Sequence, residues 1–129
     1  MPHKRLLDKV RGMGIDGRLL SWLEQFLLNR KMRVQINENV SDWFAVLSGI
    51  PQGSVLGPLL FIIFVQDLPQ WVTNSIMMFA DDTKLWARIS RQEDGEALQR
   101  DLRKLEEWSK MWLLSFNPEK CKVMHIGRT

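Results

Sequence analysis

Asp81 and Asp82 stand side by side in "MFADDTKLW", residues 78–86, between an apolar run and a strand-like run. Adjacent carboxylates repel, so a fold keeps such a pair on a solvated turn or around a cation. Side chains alternate across a strand, but at a hairpin tip successive residues can both reach outward. Two carboxylates held there make a hard oxygen site, suited to Mg²⁺ or Mn²⁺ rather than zinc. Such a site commonly takes a third carboxylate from elsewhere and holds two metals about 3.5–4 Å apart. The metals activate an attacking oxygen and neutralise the leaving one, which is what phosphoryl and nucleotidyl transfer demand. The purely structural reading is a turn, for which Asp-Asp is good material.

"GIPQG", residues 49–53, is the second stretch with chemical content. Structurally, its glycines supply positive φ and close packing ahead of a helix. Functionally, they let a ligand approach the backbone, Gln52 offers an amide to a base or sugar, and the helix N-terminus that follows favours phosphate. Asp8, Asp16 and Asp42 have no partner pattern and read as caps or surface residues. His3 and His125 lack ligand spacing, which argues against zinc. No Ser/His/Asp or Cys/His arrangement is evident.

The elements that must position these groups can be read from periodicity. "HKRLLDKVRGMG" places Leu6, Leu7, Val10 and Met13 on one helical face, with a glycine stop at Gly12 or Gly14. "DGRLLSWLEQFLLNR" predicts a second helix, with Asp16 at its N-cap and Leu19, Leu20, Leu23, Phe26 and Leu27 inward. "MRVQI", "NEN" and "SDWFAVL" predict a hairpin. The run Val55 to Val65 is too apolar for a surface helix, and Pro58 falls where first-turn N–H groups have no intrahelical partner. It predicts a buried helix ending near Asp67–Pro69. "SIMMFADDTKLWARI" predicts a second hairpin around Ala-Asp-Asp-Thr. Ser90 and Glu93 have capping-box spacing ahead of the clearest amphipathic pattern in the chain, Leu98, Leu102, Leu105, Trp108 and Trp112. After the turn at Asn117-Pro118, "CKVMHIG" predicts a final strand. The order fits an α+β domain with helices packed on an antiparallel sheet.

Composition supports one globular domain, or part of one, in 129 residues. The longest apolar run falls well short of the roughly 20 residues that span a bilayer. The start "MPHKRLLDKV" turns charged at once, unlike a signal peptide, and Cys121 is the single cysteine. Together these predict a reducing intracellular setting, nucleus or cytoplasm, and no membrane partner. Charge is unevenly distributed. Residues 1–36 hold eight Lys/Arg against three Asp/Glu, residues 37–82 five acids and no Lys or Arg, and residues 83–129 ten basic against seven acidic. An acidic centre between basic flanks suits a cation-dependent site with a polyanion near it; the structural alternative is an apolar segment between solvated helices.

"SGIPQGSVLGPLLF", followed about twenty residues later by "FADDTKL", resembles motifs B and C of a reverse transcriptase palm, and more narrowly those of non-LTR, LINE-like and jockey-like retrotransposons. "WLLSFNPEKCKVMHIG" resembles motif D, and "PHKRLLDKVRGMGI" with "LLSWLEQFLLNR" resembles the stretch between motifs A and B. The resemblance covers the whole chain. It implies an RNA-directed DNA polymerase that uses Mg²⁺, an RNA template, a DNA primer and deoxynucleoside triphosphates. It implies that Asp81 ligates metal and that Asp82 is a second ligand or electrostatic support. Phe79 and Ala80 would lie near the primer end, Gln52 and Gly53 against nucleotide and template. Lys120 would match the motif D lysine, a proton donor to leaving pyrophosphate.

In that family motif A precedes the stretch similar to "PHKRLL" and supplies another metal aspartate. No acid of this chain can be assigned to that role, and the resemblance implies that fingers, thumb and endonuclease are not among these residues. The expectation is a partial palm domain over residues 1–129, inactive in isolation, with apolar faces that promote self-association, Trp22, Trp43 or Trp71 among them. The alternative is a non-catalytic degenerate remnant that at most binds nucleic acid. A related palm polymerase, such as a group II intron maturase or a telomerase, is a weaker alternative.

Overall fold

The computed structural model describes residues 1–127. It is an α+β arrangement of four α-helices and six short strands. α1 (His3–Gly12) buries Leu6, Leu7 and Val10 and gives way to Gly14 at φ 84°. Met13, expected on the same face, is the C-cap residue and stays exposed. α2 (Gly17–Leu27) buries Leu23 and Leu27, with Leu20 and Phe26 packed partly against the core. Leu19, expected inward, lies exposed with Trp22. Asp16 occupies the N-cap position, yet its side chain makes no capping bond.

α3 (Leu56–Val65) carries Pro58 in its first turn, where no N–H is lost. Leu60, Ile63, Phe64 and Val65 enter the core, but Leu59 and Ile62 face outward. The helix is apolar all round and covered on one side, which corrects the expectation of a fully buried helix. It runs on into a 3₁₀ turn, Leu68–Trp71. α4 (Gln92–Trp112) buries Leu105 and Trp108. Its start departs from the expected Ser90/Glu93 box by one residue. The Asp94 carboxylate accepts from the backbone N–H of Ser90 (2.8 Å) and Arg91 (2.9 Å), and these bonds hold its carboxyl below the usual range.

The helices meet around Phe64, which lies edge-on to Trp108 at 6.2 Å and to Trp112 at 6.0 Å. Lys9 of α1 enters this cluster, donating to the Phe64 carbonyl and to Asp67. Its ammonium lies 3.9 Å from the Trp112 ring centroid, and the Trp108 indole N–H donates to Asp67 at 3.1 Å. Burial pushes the Lys9 pKa down, opposed by its bond and attraction to Asp67. One buried cation thus ties α1 to the end of α3 and to α4.

The strands pair antiparallel as three separate two-stranded ladders. β1 (Lys31–Met32) pairs with β4 (Phe44–Ala45), and β2 (Gln35–Ile36) with β3 (Asn39–Val40). They belong to one hairpin, turning at Asn37-Glu38, with Ser41 N–H donating to the Val34 carbonyl at 2.9 Å. Between Val34/Ser41 and Met32/Phe44, Arg33 alone opposes both Asp42 and Trp43. That two-against-one count is a β-bulge, and it splits the expected continuous hairpin into two ladders. β5 (Ser75–Phe79) and β6 (Asp82–Trp86) form the second hairpin as expected.

The predicted final strand is absent: Cys121–Ile126 has no regular structure, and Val123, Met124 and Ile126 are exposed. A strand forms only against a partner edge, and none lies alongside this segment among the described residues. Nor, among the described residues, is any helix long and apolar enough to cross a membrane.

Candidate active-site cleft

The second hairpin is oriented by its own alternation. Ile76 pairs with Leu85 and Met78 with Thr83; Ile76, Met78 and Leu85 pack on the core. The opposite face then points away from the core, and Phe79 and its partner Asp82 lie on it at the tip. Ala80 and Asp81 are the two turn residues, with Ala80 at φ 51°, a conformation costly for a side-chain-bearing residue. Packing of one face therefore holds the aspartates and Phe79 out at a solvated edge.

A buried carboxylate fixes where this hairpin starts. Asp101 of α4 is 0% exposed. It accepts from Thr73 N–H (3.0 Å), Asn74 N–H (2.7 Å), the Thr73 hydroxyl (3.1 Å) and the Asn74 amide (2.8 Å). Burial alone would raise its pKa, but these bonds outweigh desolvation and hold it below the usual carboxylate range. Sequence reasoning passed over Asp101. The available signal was a charged residue on the apolar stripe between Leu98 and Leu105.

The Gly49–Ser54 loop faces the hairpin tip. Gly49 and Gly53 take φ of 81° and 75°, which glycine adopts without strain. Ser54 Oγ donates to the Pro51 carbonyl (2.8 Å) and accepts from Gly57 N–H (3.0 Å), folding the loop onto the first turn of α3. A Cβ on Gly57 would stand 3.0 Å from the Pro51 oxygen and 3.1 Å from Ser54 Oγ, so a larger residue there would press the loop away from α3. At the other end Arg30 donates to the Gly49 carbonyl at 2.9 Å, and His3 Nε2 lies 2.8 Å from the same oxygen. The loop is clamped at both ends.

Loop, α3 and hairpin tip enclose one open cleft of about 630 Å³. Gln52, Gly53, Phe79, Ala80 and Asp81 all line it, so five of the seven residues singled out from sequence come together. Asp82 is next to the lining, across the ladder from Phe79. Lys120 lies exposed on the 3₁₀ turn Pro118–Lys120 and is not among the lining residues. Phe61, Ile62 and Pro58 supply an apolar wall that the sequence reading did not assign to the site. Phe79 is 82% exposed, an aromatic face open to a flat ligand.

Asp81 and Asp82 make no ion pair among the described residues, so both carboxylates are free to take an external cation. As donors they fit a hard divalent ion. Among the described residues, however, no group of three or more His, Cys, Asp or Glu gathers around the pair.

A family model described as reverse transcriptase (RNA-dependent DNA polymerase) matches residues 1–128. The chain is 33% identical to a probable RNA-directed DNA polymerase from transposon BS of Drosophila melanogaster, over 92% of this chain and 14% of that protein. It is 30% identical to the RNA-directed DNA polymerase from mobile element jockey of the same organism, over 98% of this chain and 15% of the relative. It is 31% identical to a probable RNA-directed DNA polymerase from transposon X-element, over 76% of this chain and 12% of the relative. No solved structure gives a significant match. The chain thus spans less than a sixth of the length of these relatives.

Proposed function

The chain belongs to the reverse transcriptase family, and from that premise we propose that it is the part of a non-LTR retrotransposon palm that holds the incoming deoxynucleotide and the primer end. The observation that carries this reading is the single cleft shared by Gln52, Gly53, Phe79, Ala80 and Asp81. The open backbone at Gly53 and the Gln52 amide would bear on the base and sugar of the nucleotide and on the RNA template. Phe79, with Ile62 and Phe61 behind it, would pack against the DNA primer end. Asp81 and Asp82 would hold Mg²⁺, with Mn²⁺ as a substitute. When bound, the metal supplies an activated attacking hydroxyl and neutralises charge on the phosphoryl oxygens. Lys120 lies outside the cleft lining, and the reading does not depend on it.

The same geometry argues that these 129 residues do not polymerise unaided. Two carboxylates at a hairpin tip can share one ion, while in-line displacement between two ions calls for a further acid. A purified chain given primer, template, Mg²⁺ and deoxynucleotides is expected to incorporate nothing. Templated incorporation that disappears in Asp81→Ala would refute the proposed inactivity. Placement of the nucleotide is tested separately by photocrosslinking a labelled deoxynucleotide. Label should appear on the Gln52–Ser54 loop or Phe79 and fall several-fold in Gln52→Ala. Label elsewhere on the chain would overturn the assignment of the cleft.

A further inference from the structure

The first hairpin, outside the cleft, presents two chemically different faces. Paired residues share a side of a ladder, so Met32, Val34, Ile36 and Phe44 lie together on one side. Lys31, Arg33 and Gln35 lie on the other, together with their partners Ala45 and Val40. The bulge opposite Arg33 re-aims Trp43 onto this second side, where the Arg33 guanidinium stacks over its ring at 4.7 Å. Trp43 stays exposed, and neither Lys31 nor Arg33 makes an ion pair among the described residues, although Glu38 and Asp42 are on the same hairpin. Two exposed cations without a carboxylate partner thus stand beside an exposed indole. They match a ligand that carries both negative charge and flat rings.

We propose that the Lys31–Arg33–Trp43 face is a contact for single-stranded nucleic acid, a base stacking on the Trp43–Arg33 pair and adjoining phosphates meeting Lys31 and Arg33. Charge complementarity and aromatic stacking together are how sequence-tolerant single-strand sites are built. A duplex, whose bases are already stacked, could use only the charges. The base of the hairpin is tied to the cleft loop. Arg30 accepts Val46 N–H on its carbonyl (2.9 Å) and donates to the Gly49 carbonyl, one residue before Ile50 of the cleft lining. Trp43 is thus within about 20 Å of chain from the cleft loop, a few nucleotides of an extended strand. The inference needs no metal and no activity, and it stands whether or not the cleft binds nucleotide.

The test is fluorescence anisotropy of a labelled 15-nucleotide oligouridine with the 129-residue chain over a range of salt. We expect low-salt binding that Trp43→Ala weakens about ten-fold. Trp43→Phe, which keeps a ring, should retain most of it. Lys31→Ala and Arg33→Ala should each flatten the log–log salt slope by about 0.7. Arg103→Ala, which removes the same charge from the exposed side of α4, should change affinity far less. Absence of binding at low salt overturns the proposal. So does an Arg103→Ala loss equal to that of Arg33→Ala, or unchanged affinity in Trp43→Ala with native circular dichroism.

Discussion

The two hairpins have the same local design and opposite fates. Each turns through two residues, and in each successive side chains point to opposite faces. In β5–β6 the apolar side meets the helical core, and Asp101 grips the backbone just ahead of it. In the hairpin from Arg30 to Val46 every strand residue is exposed, and a bulge bends it in the middle. Alternation makes a hairpin amphipathic; only a neighbour turns that into stability. A rigid support suits a site that must hold carboxylates in place, whereas an open ribbon suits a surface that receives a partner.

The sharpest way to break this contrast is Asp101→Ala, which removes the acceptor that gathers the donors of Thr73 and Asn74. We expect a loss of about 3 kcal/mol in urea unfolding, with hydrogen-exchange protection falling across β5–β6 and unchanged at Gln35–Val40. Equal loss in both hairpins would show that the first also depends on the core. The same carboxylate predicts acid sensitivity. Its folded pKa is depressed, so its contribution is complete above the ordinary value of about 3.9 and is lost as pH falls through the lower folded value. Exchange followed from pH 5 to pH 2 should show β5–β6 opening over that acid range.

Gly57→Ala is expected to cost about 2 kcal/mol, because the new Cβ presses on the Pro51 carbonyl. It should weaken nucleotide crosslinking at Gln52 without opening β5–β6. Leu85→Ala, which removes a half-buried contact, should cost about 1.5 kcal/mol, below the range for fully buried leucines. Its counterpart on the open ribbon, Ile36→Ala, should fall within about 0.5 kcal/mol of the parent chain. Met32, Val34, Ile36 and Phe44 form an exposed apolar strip; we propose that it drives self-association, and Ile36→Ala should then shift sedimentation velocity toward the monomer. A stability loss at Ile36 comparable to that at Leu85 would erase the distinction between the hairpins.

Much of this molecule is written in short-range pattern. The 3.6-residue spacing located α1, α2 and α4, the apolar run from Val55 to Val65 located α3, and the two short apolar stretches flanking Ala-Asp-Asp-Thr located β5–β6. Those signals depend on neighbours a few residues away, which is why they can be read along the chain. Residue types raised Gln52, Gly53 and Asp81 as candidates, because glycine, amide and paired carboxylate each suit few environments, and the resemblance to a reverse transcriptase palm added Phe79 and Ala80. What the line of residues did not contain is which side of each element would be covered. Leu59, Ile62 and Leu19 look as apolar as Leu60, Ile63 and Leu23, and only the placement of neighbouring helices separates them. Cys121–Ile126 reads as a strand after the Asn-Pro turn and is none, because pairing takes two edges. Asp101 reads as a surface acid until Thr73 and Asn74 arrive from a different element to bind it. Local conformation follows from bonds within a turn or two of chain, whereas burial and strand pairing are properties of two segments at once, and the second is supplied only by the fold.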